Sequence, residues 1–284
     1  MNGEFRCLCC GGRTAAAVHL ACADYYLRTP FRADYHRCHS CGLVQQSPVP
    51  RDVSPFYAGY PVHARKSAAF EAVRRVLMSR VYYRPPPRVR RLLDFGCGDG
   101  GYMERVRRPG LEVVGYEPDP AHASSLAARI GLPVYADSRE LIERHAAFFD
   151  VVTMHSVLEH VTDLHETVGL AARLLRPGGS FYFVVPQISS AEARLFGRRW
   201  HGLDPPRHVS FPEPGVVRRL ADRHGFRVAR QEAVPFPTGF AGSVAPALLG
   251  RFSFPVMAAV LPFTLVFTLI DPSAARAFTL VRGA

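Results

Sequence analysis

The sequence contains almost no lysine. Of its 35 lysine and arginine residues only Lys66 is a lysine, and the other 34 are arginines. The formal net charge of +11 would suit a nucleic-acid-binding protein, but these arginines are spread along the chain and form no basic tail. A GC-rich coding bias explains the same pattern, so a solvated basic surface is favoured over a nucleic-acid footprint.

Other missing features exclude further classes of protein. The first residues, Met-Asn-Gly-Glu-Phe-Arg-Cys, lack a basic segment followed by an apolar one, so we predict no secretory signal and a reducing, cytoplasmic location. No internal repeat is found, and the absence of a Gly-x-x-x-x-Gly-Lys-Ser/Thr loop counts against a nucleotide triphosphatase. The balance of 48% hydrophobic and 21% charged residues is typical of a globular chain.

The cysteines fall into a pattern that predicts a metal site. Four of the seven form two Cys-x-x-Cys pairs, Cys7 with Cys10 and Cys38 with Cys41. A two-residue spacer lets both thiolates of a pair face one ion, so the pairs predict a structural Zn²⁺ site with four sulfur ligands and no open position. Free thiols, or a partial site completed by a nearby histidine, are the alternatives.

Three parts of the chain differ in composition. Residues 1–50 are rich in cysteine and predict a small zinc ribbon, whose folding energy the metal would supply. Residues 51–88 contain a predicted helix over 63–83 and a proline-rich linker over 84–88 that stops it. Residues 89–284 form the third and largest part.

The third part alternates short apolar runs with amphipathic segments. Strands are predicted at 89–95, 112–116, 133–135, 150–155 and 180–186, and helices near 101–108, 120–130, 138–146 and 163–175. Strands that alternate with helices of this length predict an α/β fold, a doubly wound parallel sheet covered on both faces.

A glycine-rich turn follows the first of these strands. Asp94 closes the strand, and Gly96, Gly98 and Gly100 follow at alternate positions. This spacing differs from the Gly-x-Gly-x-x-Gly fingerprint, and a carboxylate here would repel a pyrophosphate but attract a cationic, amino-acid-like ligand. Glu117 ends the second strand, where its carboxylate can accept hydrogen bonds from both hydroxyls of a ribose.

Together with three further segments, this turn resembles the class I S-adenosylmethionine-dependent methyltransferases over residues 89–234. The segments are Glu117-Pro-Asp-Pro, Asp150-Val-Val-Thr-Met-His-Ser-Val-Leu-Glu-His and Leu174-Leu-Arg-Pro-Gly-Gly. The resemblance implies a Rossmann-like, mostly parallel sheet of seven strands and S-adenosylmethionine as cofactor. It also implies which residues contact the cofactor. The glycine turn would face the methionine part, Glu117 would bind the ribose, residues 136–138 would line the adenine, and a histidine would lie near the sulfonium. The implied cofactor residues are Asp94, Gly96, Cys97, Gly98, Gly100, Glu117, Asp137, Ser138 and His155.

A narrower resemblance is to bacterial methyltransferases with an amino-terminal zinc ribbon, among them sugar C-methyltransferases and small-molecule O-methyltransferases. It rests on Cys38-x-x-Cys-Gly-Leu-Val, on the Pro-Phe-Tyr-Ala-Gly-Tyr segment at 55–60, and on Trp200-His-Gly-Leu-Asp-Pro-Pro-Arg-His. The resemblance implies a small-molecule acceptor. The sugar C-methyltransferases have a further carboxy-terminal domain that this sequence does not show, so their substrate class is not carried over.

Four residues are candidate substrate contacts. Arg207 and His208 would anchor a polar or anionic acceptor, the alternative being a solvated loop. Tyr57 and Tyr60 would close over the cofactor, the alternative being packing of the ribbon on the rest of the chain.

Methyl transfer from a sulfonium is an in-line displacement, and a hydroxyl or carbon acceptor must also lose a proton. Histidine suits that task near neutral pH. His160 lies just beyond the fourth strand, at the edge where open α/β sheets bind ligands, and Glu159 could orient it. A hydrogen bond at a helix start is an equal alternative for His160, and the rival bases are His155, His201 and His208.

From 233 to 270 the only charged residue is Arg251. Pro255 and Pro262 interrupt this apolar stretch, and a strand-like segment at 277–282 follows it. In the resembling fold that last strand lies antiparallel beside the fifth, and a chain that crossed a bilayer once could not return to it. Residues 240–272 are therefore interpreted as a hairpin insertion, either packed on the core as a lid or dimer contact, or lying in the interface of the inner membrane face.

The sequence thus predicts a methyltransferase that acts on oxygen or carbon of a small molecule, such as a sugar, lipid-linked or secondary-metabolite intermediate. Two other classes stay open. One is an RNA or protein methyltransferase that docks through the ribbon and the basic surface, and the other is a non-catalytic, membrane-associated subunit that binds the cofactor. The oligomeric state is not predicted.

Overall fold

The computed structural model describes residues 4–57, 76, 78–79 and 81–283. The strands are β1 Ala15–Ala23, β2 Arg32–Cys38, β3 Val44–Gln46, β4 Arg91–Phe95, β5 Glu112–Tyr116, β6 Val134–Tyr135, β7 Phe149–His155, β8 Leu175–Pro186, β9 Ser210–Phe211, β10 Phe226–Val234 and β11 Ala275–Arg282. The helices are Gly101–Val106, Pro120–Ile130, Ser138–His145, Leu164–Leu174, Ala191–Phe196, Pro214–Arg223, Pro237–Leu249 and Phe254–Ile270.

A seven-stranded sheet forms the centre of the described residues, in the order β10-β11-β8-β7-β4-β5-β6. β4 pairs parallel with β5 on one side and with β7 on the other, so Leu93 lies between Val114 and Val152. β11 runs antiparallel to both of its neighbours, β10 and β8. The predicted seven-stranded, mostly parallel sheet is confirmed, and so is the antiparallel final strand beside β8.

Both faces of this sheet are covered, which explains its continuous apolar strands. Successive residues of a strand point to opposite faces. Leu92 and Val151 pack into one buried cluster, whereas the next residues, Leu93 and Val152, pack into the other. The helices between the strands supply the remaining side of each cluster.

Several element ends depart from prediction, two of them by many residues. The strand predicted at 180–186 begins earlier, at Leu175. Gly178 adopts φ 72° there, and the pairing with β7 shifts register after Phe149, so the chain bulges and the strand includes the segment Arg176-Pro-Gly-Gly. The predicted helix over 63–83 falls largely outside the described residues, and its last part, 81–83, is a turn whose Tyr83 N–H donates to His155 Nε2 at 3.2 Å.

Strands β1, β2 and β3 form a second, four-stranded sheet with β9, in the order β1-β2-β3-β9. Its fourth strand comes from far along the chain, since Val44 pairs with Phe211. The Gln46 side chain donates to the carbonyl oxygens of Pro206 and His208, both at 2.8 Å. The amino-terminal sheet is therefore built jointly with the 200–211 loop.

The apolar stretch near the carboxyl end folds as the predicted hairpin, the helices Pro237–Leu249 and Phe254–Ile270. The hairpin packs on the 196–204 region at two points. The Phe240 ring of its first helix lies 5.0 Å from that of Phe196, and the Phe252 ring, in the turn between the helices, lies 5.8 Å from that of His201. Within the described part of the chain, no helix combines the length and hydropathy that a membrane crossing requires.

Candidate active site

A cavity of about 920 Å³ opens at the carboxyl ends of β4, β5 and β7. Open α/β sheets bind their ligands at this edge. The walls are the glycine turn after β4, the end of β5, the turn after β7, the 200–208 loop and the start of the hairpin at Phe236 and Gly239.

The glycine turn presents backbone to this cavity. Gly96 adopts φ 75°, and a Cβ there would lie 2.6 Å from Cγ2 of Val157. The N–H groups of Gly96 and Cys97 donate to the carbonyl oxygen of Tyr116, at 2.8 and 3.1 Å. Gly98 adopts φ 52° with open space where a Cβ would project, so the turn needs glycine for its conformation and leaves room for a ligand.

Glu117 lies directly beside that turn. Gly98 N–H donates to its Oε2 at 3.1 Å, and the Gly98 carbonyl lies 2.7 Å from Nε2 of His122. Burial raises the pKa of the Glu117 carboxyl. The structure thus brings together the two elements that the sequence singled out, the turn and the acidic residue that ends β5.

A polar group beneath the turn joins Asp94 to His155. Thr153 donates to Oδ1 of Asp94 at 3.0 Å, and Nδ1 of His155 lies 3.5 Å from the same oxygen. Because Nε2 of His155 accepts from the Tyr83 N–H, the ring proton of neutral His155 sits on Nδ1, facing Asp94. Nε2 of His155 is engaged by the Tyr83 N–H, Nδ1 has no hydrogen-bond partner among the described residues, and the ring lines the cavity. Its role as a base stays a prediction.

Two predicted cofactor residues have structural roles. Gly100 precedes the helix Gly101–Val106 at φ 74°, and a Cβ there would lie 2.8 Å from Cδ1 of Leu126, so it serves helix packing. Asp137 accepts from the Arg139 N–H at 2.7 Å and caps the next helix, and it is not among the described residues that line the cavity.

Two other predicted residues do reach the cavity. Ser138, beside Asp137, lines its wall. Cys97 lines it too, although its thiol is buried, and burial raises the thiol pKa.

A second polar group, Glu159 with His160 and His208, lies in the turn after β7 and the loop before β9. One ligand atom from each residue lies within 4.8 Å of the others. Nδ1 of His160 lies 3.0 Å from the carbonyl oxygen of Arg207 and 2.7 Å from the hydroxyl of Tyr57. Nδ1 of His208 lies 2.6 Å from the carbonyl oxygen of Gly202.

These three residues are buried enough to change their ionisation. Burial, reinforced by the neighbouring His208, lowers the pKa of His160 to about 3, and burial also lowers the pKa of His208. Burial raises the pKa of Glu159 to about 8. Both rings are therefore neutral near pH 7, and such a low pKa makes His160 a weak general base. Its role as the base stays a prediction.

Among the substrate candidates, Tyr57 lines the cavity and Tyr60 lies outside the described residues. Arg207 contradicts its prediction. Its side chain is 0% exposed and donates to Asp24 and Asp204, with nitrogen to oxygen distances of 2.8 and 2.6 Å. A guanidinium held between two carboxylates has no group left for an acceptor, so Arg207 ties the 200–208 loop to the segment after β1 rather than binding substrate.

Sequence reasoning missed Glu192, a buried residue of the cavity wall that is 1% exposed. Trp200, the one tryptophan in the sequence, donates from its indole N–H to Oε1 of Glu192 at 2.8 Å. Burial raises the pKa of Glu192 to about 7. The tryptophan could have indicated such a residue in the sequence, because a buried indole N–H needs a hydrogen-bond acceptor.

The two Cys-x-x-Cys pairs converge as predicted. The sulfur atoms of Cys7, Cys10, Cys38 and Cys41 all lie within 4.8 Å of one another. Gly11 and Gly42 close the two turns at φ 71° and 81°, each donating its N–H to the carbonyl oxygen of the first cysteine of its pair at 2.9 Å. Neither His36 nor His39 belongs to this cluster in the described residues, so four thiols are the complete donor set.

Comparison with known proteins agrees with this geometry. A family described as a methyltransferase domain matches residues 63–231. The chain is 37% identical over 102 residues to a ubiquinone biosynthesis O-methyltransferase of Aromatoleum aromaticum, which covers 33% of this chain and 43% of that protein. It is 25% identical over 186 residues to the human mitochondrial ubiquinone biosynthesis O-methyltransferase, which covers 59% of this chain and 50% of that protein.

Solved structures show the same fold. An S-adenosylmethionine-dependent methyltransferase from Archaeoglobus fulgidus superposes with a TM-score of 0.51 and 16% identity, over 80% of this chain and 99% of that one. The chain spans half the length or less of the two ubiquinone-biosynthesis relatives named above.

Proposed function

Because this chain belongs to the methyltransferase-domain family and is a class I S-adenosylmethionine-dependent methyltransferase, we propose that it methylates a hydroxyl oxygen of a small-molecule acceptor. The observation that carries the proposal is that two polar groups from different segments line one cavity. The glycine turn with Glu117 defines its first side, and two neutral histidines with Glu159 define its second side. The first side suits a nucleoside cofactor and the second an uncharged or weakly acidic hydroxyl.

On the first side, the chain's residues would hold the cofactor in three places. Glu117 would accept hydrogen bonds from the ribose hydroxyls. Asp94 would face the cationic amino group of the methionine part, while Ser138 would line the adenine. When bound, S-adenosylmethionine supplies a methyl group on a positively charged sulfur.

On the second side, His160 and His208 would orient the acceptor. Their Nδ1 atoms face backbone carbonyl oxygens, and a carbonyl can only accept, so the Nε2 atoms carry the lone pairs. A lone pair there can accept the hydrogen bond of an acceptor hydroxyl and hold its oxygen in line with the methyl group. Tyr57, bonded to His160, would close this side of the cavity.

The four-cysteine cluster is proposed to hold a structural zinc ion. Four thiolates are a complete tetrahedral set, and such closed sites are typical of structural zinc. The ion would fix the two turns at the edge of the amino-terminal sheet, away from the chemistry.

We also propose that the hairpin contacts a lipid surface. Five of its large apolar side chains are strongly exposed: Leu248 75%, Leu249 52%, Phe254 54%, Phe263 77% and Val266 60%. Arg251 lies exposed between the two helices, where it would face anionic headgroups. Since Phe236 and Gly239 at the start of the hairpin line the cavity, a lipophilic acceptor would have a short path from the membrane to the site.

The test is an acceptor panel assayed by mass spectrometry. Purified protein with S-adenosylmethionine is incubated with hydroxylated aromatic, prenylated and sugar acceptors, and with RNA and peptides. We expect one class of small molecule to gain a methyl group, with stoichiometric S-adenosylhomocysteine. Methylation of RNA or peptide alone would contradict the proposal, as would intact cofactor binding with no turnover on any member.

A further inference from the structure

The wall of the cavity is acidic, although the protein as a whole is basic. The formal net charge of the chain is +11, yet among the described residues the cavity is lined by eight aspartate and glutamate residues and by no lysine or arginine. A cleft lined by charges of one sign concentrates ligands of the opposite sign. The cavity therefore favours a cationic acceptor, as well as a cationic cofactor, over phosphorylated or carboxylated molecules.

Three of the eight acidic residues lie in the 200–208 loop or are hydrogen-bonded to residues 200–210. They are Glu159, Glu192 and Asp204. The charge of Asp204 is compensated by the guanidinium of Arg207, at 2.6 Å. Burial raises the pKa of Glu159 to about 8, so that carboxyl group is mostly protonated near pH 7. Of the three, Glu192 is therefore the best placed to bind a cationic group of an acceptor.

The carboxyl group of Glu192 has one oxygen left for a ligand. The residue is 1% exposed, and its Oε1 accepts from the indole N–H of Trp200 at 2.8 Å. Its Oε2 has no hydrogen-bond partner among the described residues, and the negative charge of Asp271 adds to its own rather than compensating it. A buried carboxylate oxygen without a partner is costly, and a cationic hydrogen-bond donor would remove that cost.

The surroundings of this carboxyl group suit an ammonium ion. A Cβ at Gly239, at the start of the hairpin, would lie 2.8 Å from Oε1 of Glu192, so glycine leaves the space that the carboxyl group needs. Trp200 and Phe236 contribute aromatic rings to the cavity wall there. The face of an aromatic ring attracts a cation, and this attraction adds to that of the carboxylate.

We propose that Glu192, with Trp200 and Phe236, forms a subsite that binds a protonated amine of the acceptor. The subsite rests on the proposed function and narrows its substrate class. The acceptor carries the hydroxyl group that is methylated, held by His160 and His208, and also an ammonium group that donates a charge-assisted hydrogen bond to Oε2 of Glu192. Amino-bearing small molecules are thereby selected over phosphorylated ones and over RNA.

The binding of three matched phenols to the full-length protein tests this subsite. Tyramine carries an ammonium group, para-ethylphenol lacks it, and para-hydroxyphenylpropanoate carries a carboxylate in its place. The measurement is calorimetry with S-adenosylhomocysteine present, at pH 8, which lies above the pKa of about 7 that burial gives Glu192. We expect tyramine to bind at least about tenfold more tightly than either of the other two.

Variants assign this preference to the subsite. Glu192→Gln keeps the size of the side chain and an oxygen for Trp200, and it should remove the preference without changing the affinity for para-ethylphenol. Gly239→Ala should also weaken tyramine binding, because the added Cβ displaces the Glu192 carboxyl group. The control Glu232→Gln removes the same charge from an exposed residue that is paired with Arg230, and it should keep the preference.

Binding of S-adenosylhomocysteine, measured in the same way, shows whether each variant is folded. Three results would overturn the proposal: equal affinity of the wild type for tyramine and para-ethylphenol, no binding of tyramine up to about 10 mM, or an undiminished preference in folded Glu192→Gln.

The test also separates this inference from the proposed function. An amine preference that depends on Glu192, in a protein that methylates no acceptor, would keep the subsite and remove the function. Methylation of an acceptor that has no amine, with the same kcat and KM in Glu192→Gln and wild type, would keep the function and remove the subsite.

Discussion

Arg207 donates to both carboxylate oxygens of Asp24, with distances of 2.8 Å from Nη2 and 3.2 Å from Nη1. The two residues are 183 positions apart, one in the amino-terminal segment and one in the loop that carries His208. The pair is fully buried, and Asp204 completes it from the other side. The position of the histidine loop therefore depends on the amino-terminal sheet.

Arg207→Met is expected to destabilise the protein. It leaves Asp24 and Asp204 as uncompensated buried carboxylates, and breaking a buried pair typically costs about 3–5 kcal/mol. Urea unfolding at neutral pH should show that loss, while Arg230→Ala, which removes an exposed pair with Glu232, should change stability by about 0–1 kcal/mol. Equal stability of the Arg207→Met variant and the wild type would show that the triad does not hold the 200–208 loop to the amino-terminal segment.

Glu117→Ala should weaken S-adenosylmethionine binding by at least about tenfold, because hydrogen bonds to a charged group contribute roughly 1.5–3 kcal/mol. Calorimetry measures the change directly. Glu140→Ala removes a carboxylate that is exposed and paired along its own helix with Arg144, so it serves as the control. An unchanged affinity in the Glu117 variant would count heavily against the ribose assignment.

Glu192→Gln should flatten the pH dependence of stability. The folded-state pKa of Glu192 is about 7, above the unfolded value of about 4.3. The native state therefore binds more protons between these values, and wild-type stability falls as pH rises from about 4.5 to 7, by on the order of 3 kcal/mol. The variant should equal the wild type near pH 4 and exceed it at pH 8 in urea unfolding. If the stability of both proteins fell equally with rising pH, a group other than Glu192 would cause the pH dependence.

Cys38→Ser should release zinc and lower the melting temperature. Four thiolates hold the proposed ion, and the small sheet around it has little core of its own, so metal binding contributes to folding. Zinc content by plasma mass spectrometry should be one equivalent at the cysteines of the wild type and absent there in the variant. Cys22→Ala alters a buried cysteine outside the cluster and should keep its zinc; loss from both variants would point to general unfolding.

Replacing exposed hairpin side chains should abolish lipid association. Phe263→Asp with Val266→Asp places two charges on the exposed apolar face, whereas Leu195→Asp alters an exposed leucine at 65% outside the hairpin. In flotation with anionic liposomes, the wild type and the Leu195 variant should rise with the lipid and the double variant should remain in the dense fractions. A wild type that never floats would leave only the packed interpretation of the hairpin.

The sequence predicted the central sheet well because its signals are local. The strand at 112–116 and the helix at 120–130 have the predicted bounds. Asp119 accepts from the N–H groups of Ala121 and His122, which is the cap that its position before a proline predicts. The convergence of the four cysteines could also be predicted from the sequence, because the two-residue spacing within each pair is a local property.

What sequence reasoning missed depends on contacts between distant segments. Strands β1 and β2 carry weak patterns, because bulges shift the register between Ala17 and His19 and again before Cys22. Arg207 resembles a solvated loop residue until Asp24 is placed beside it. Likewise, Gly100 has the same spacing as Gly96 and Gly98, and only the structure shows that it packs against Leu126 and is not among the described residues lining the cavity.

The pairing of Val44 with Phe211 has a practical implication for engineering. Because Ser210–Phe211 pairs with a strand of the amino-terminal segment, deleting that segment would disrupt the rest of the protein. Removal of the first fifty residues would leave Ser210–Phe211 without its partner strand and would expose the buried Arg207 to solvent. Domain-swap chimeras that exchange the ribbon alone should therefore be designed with residues 200–211 travelling along with it.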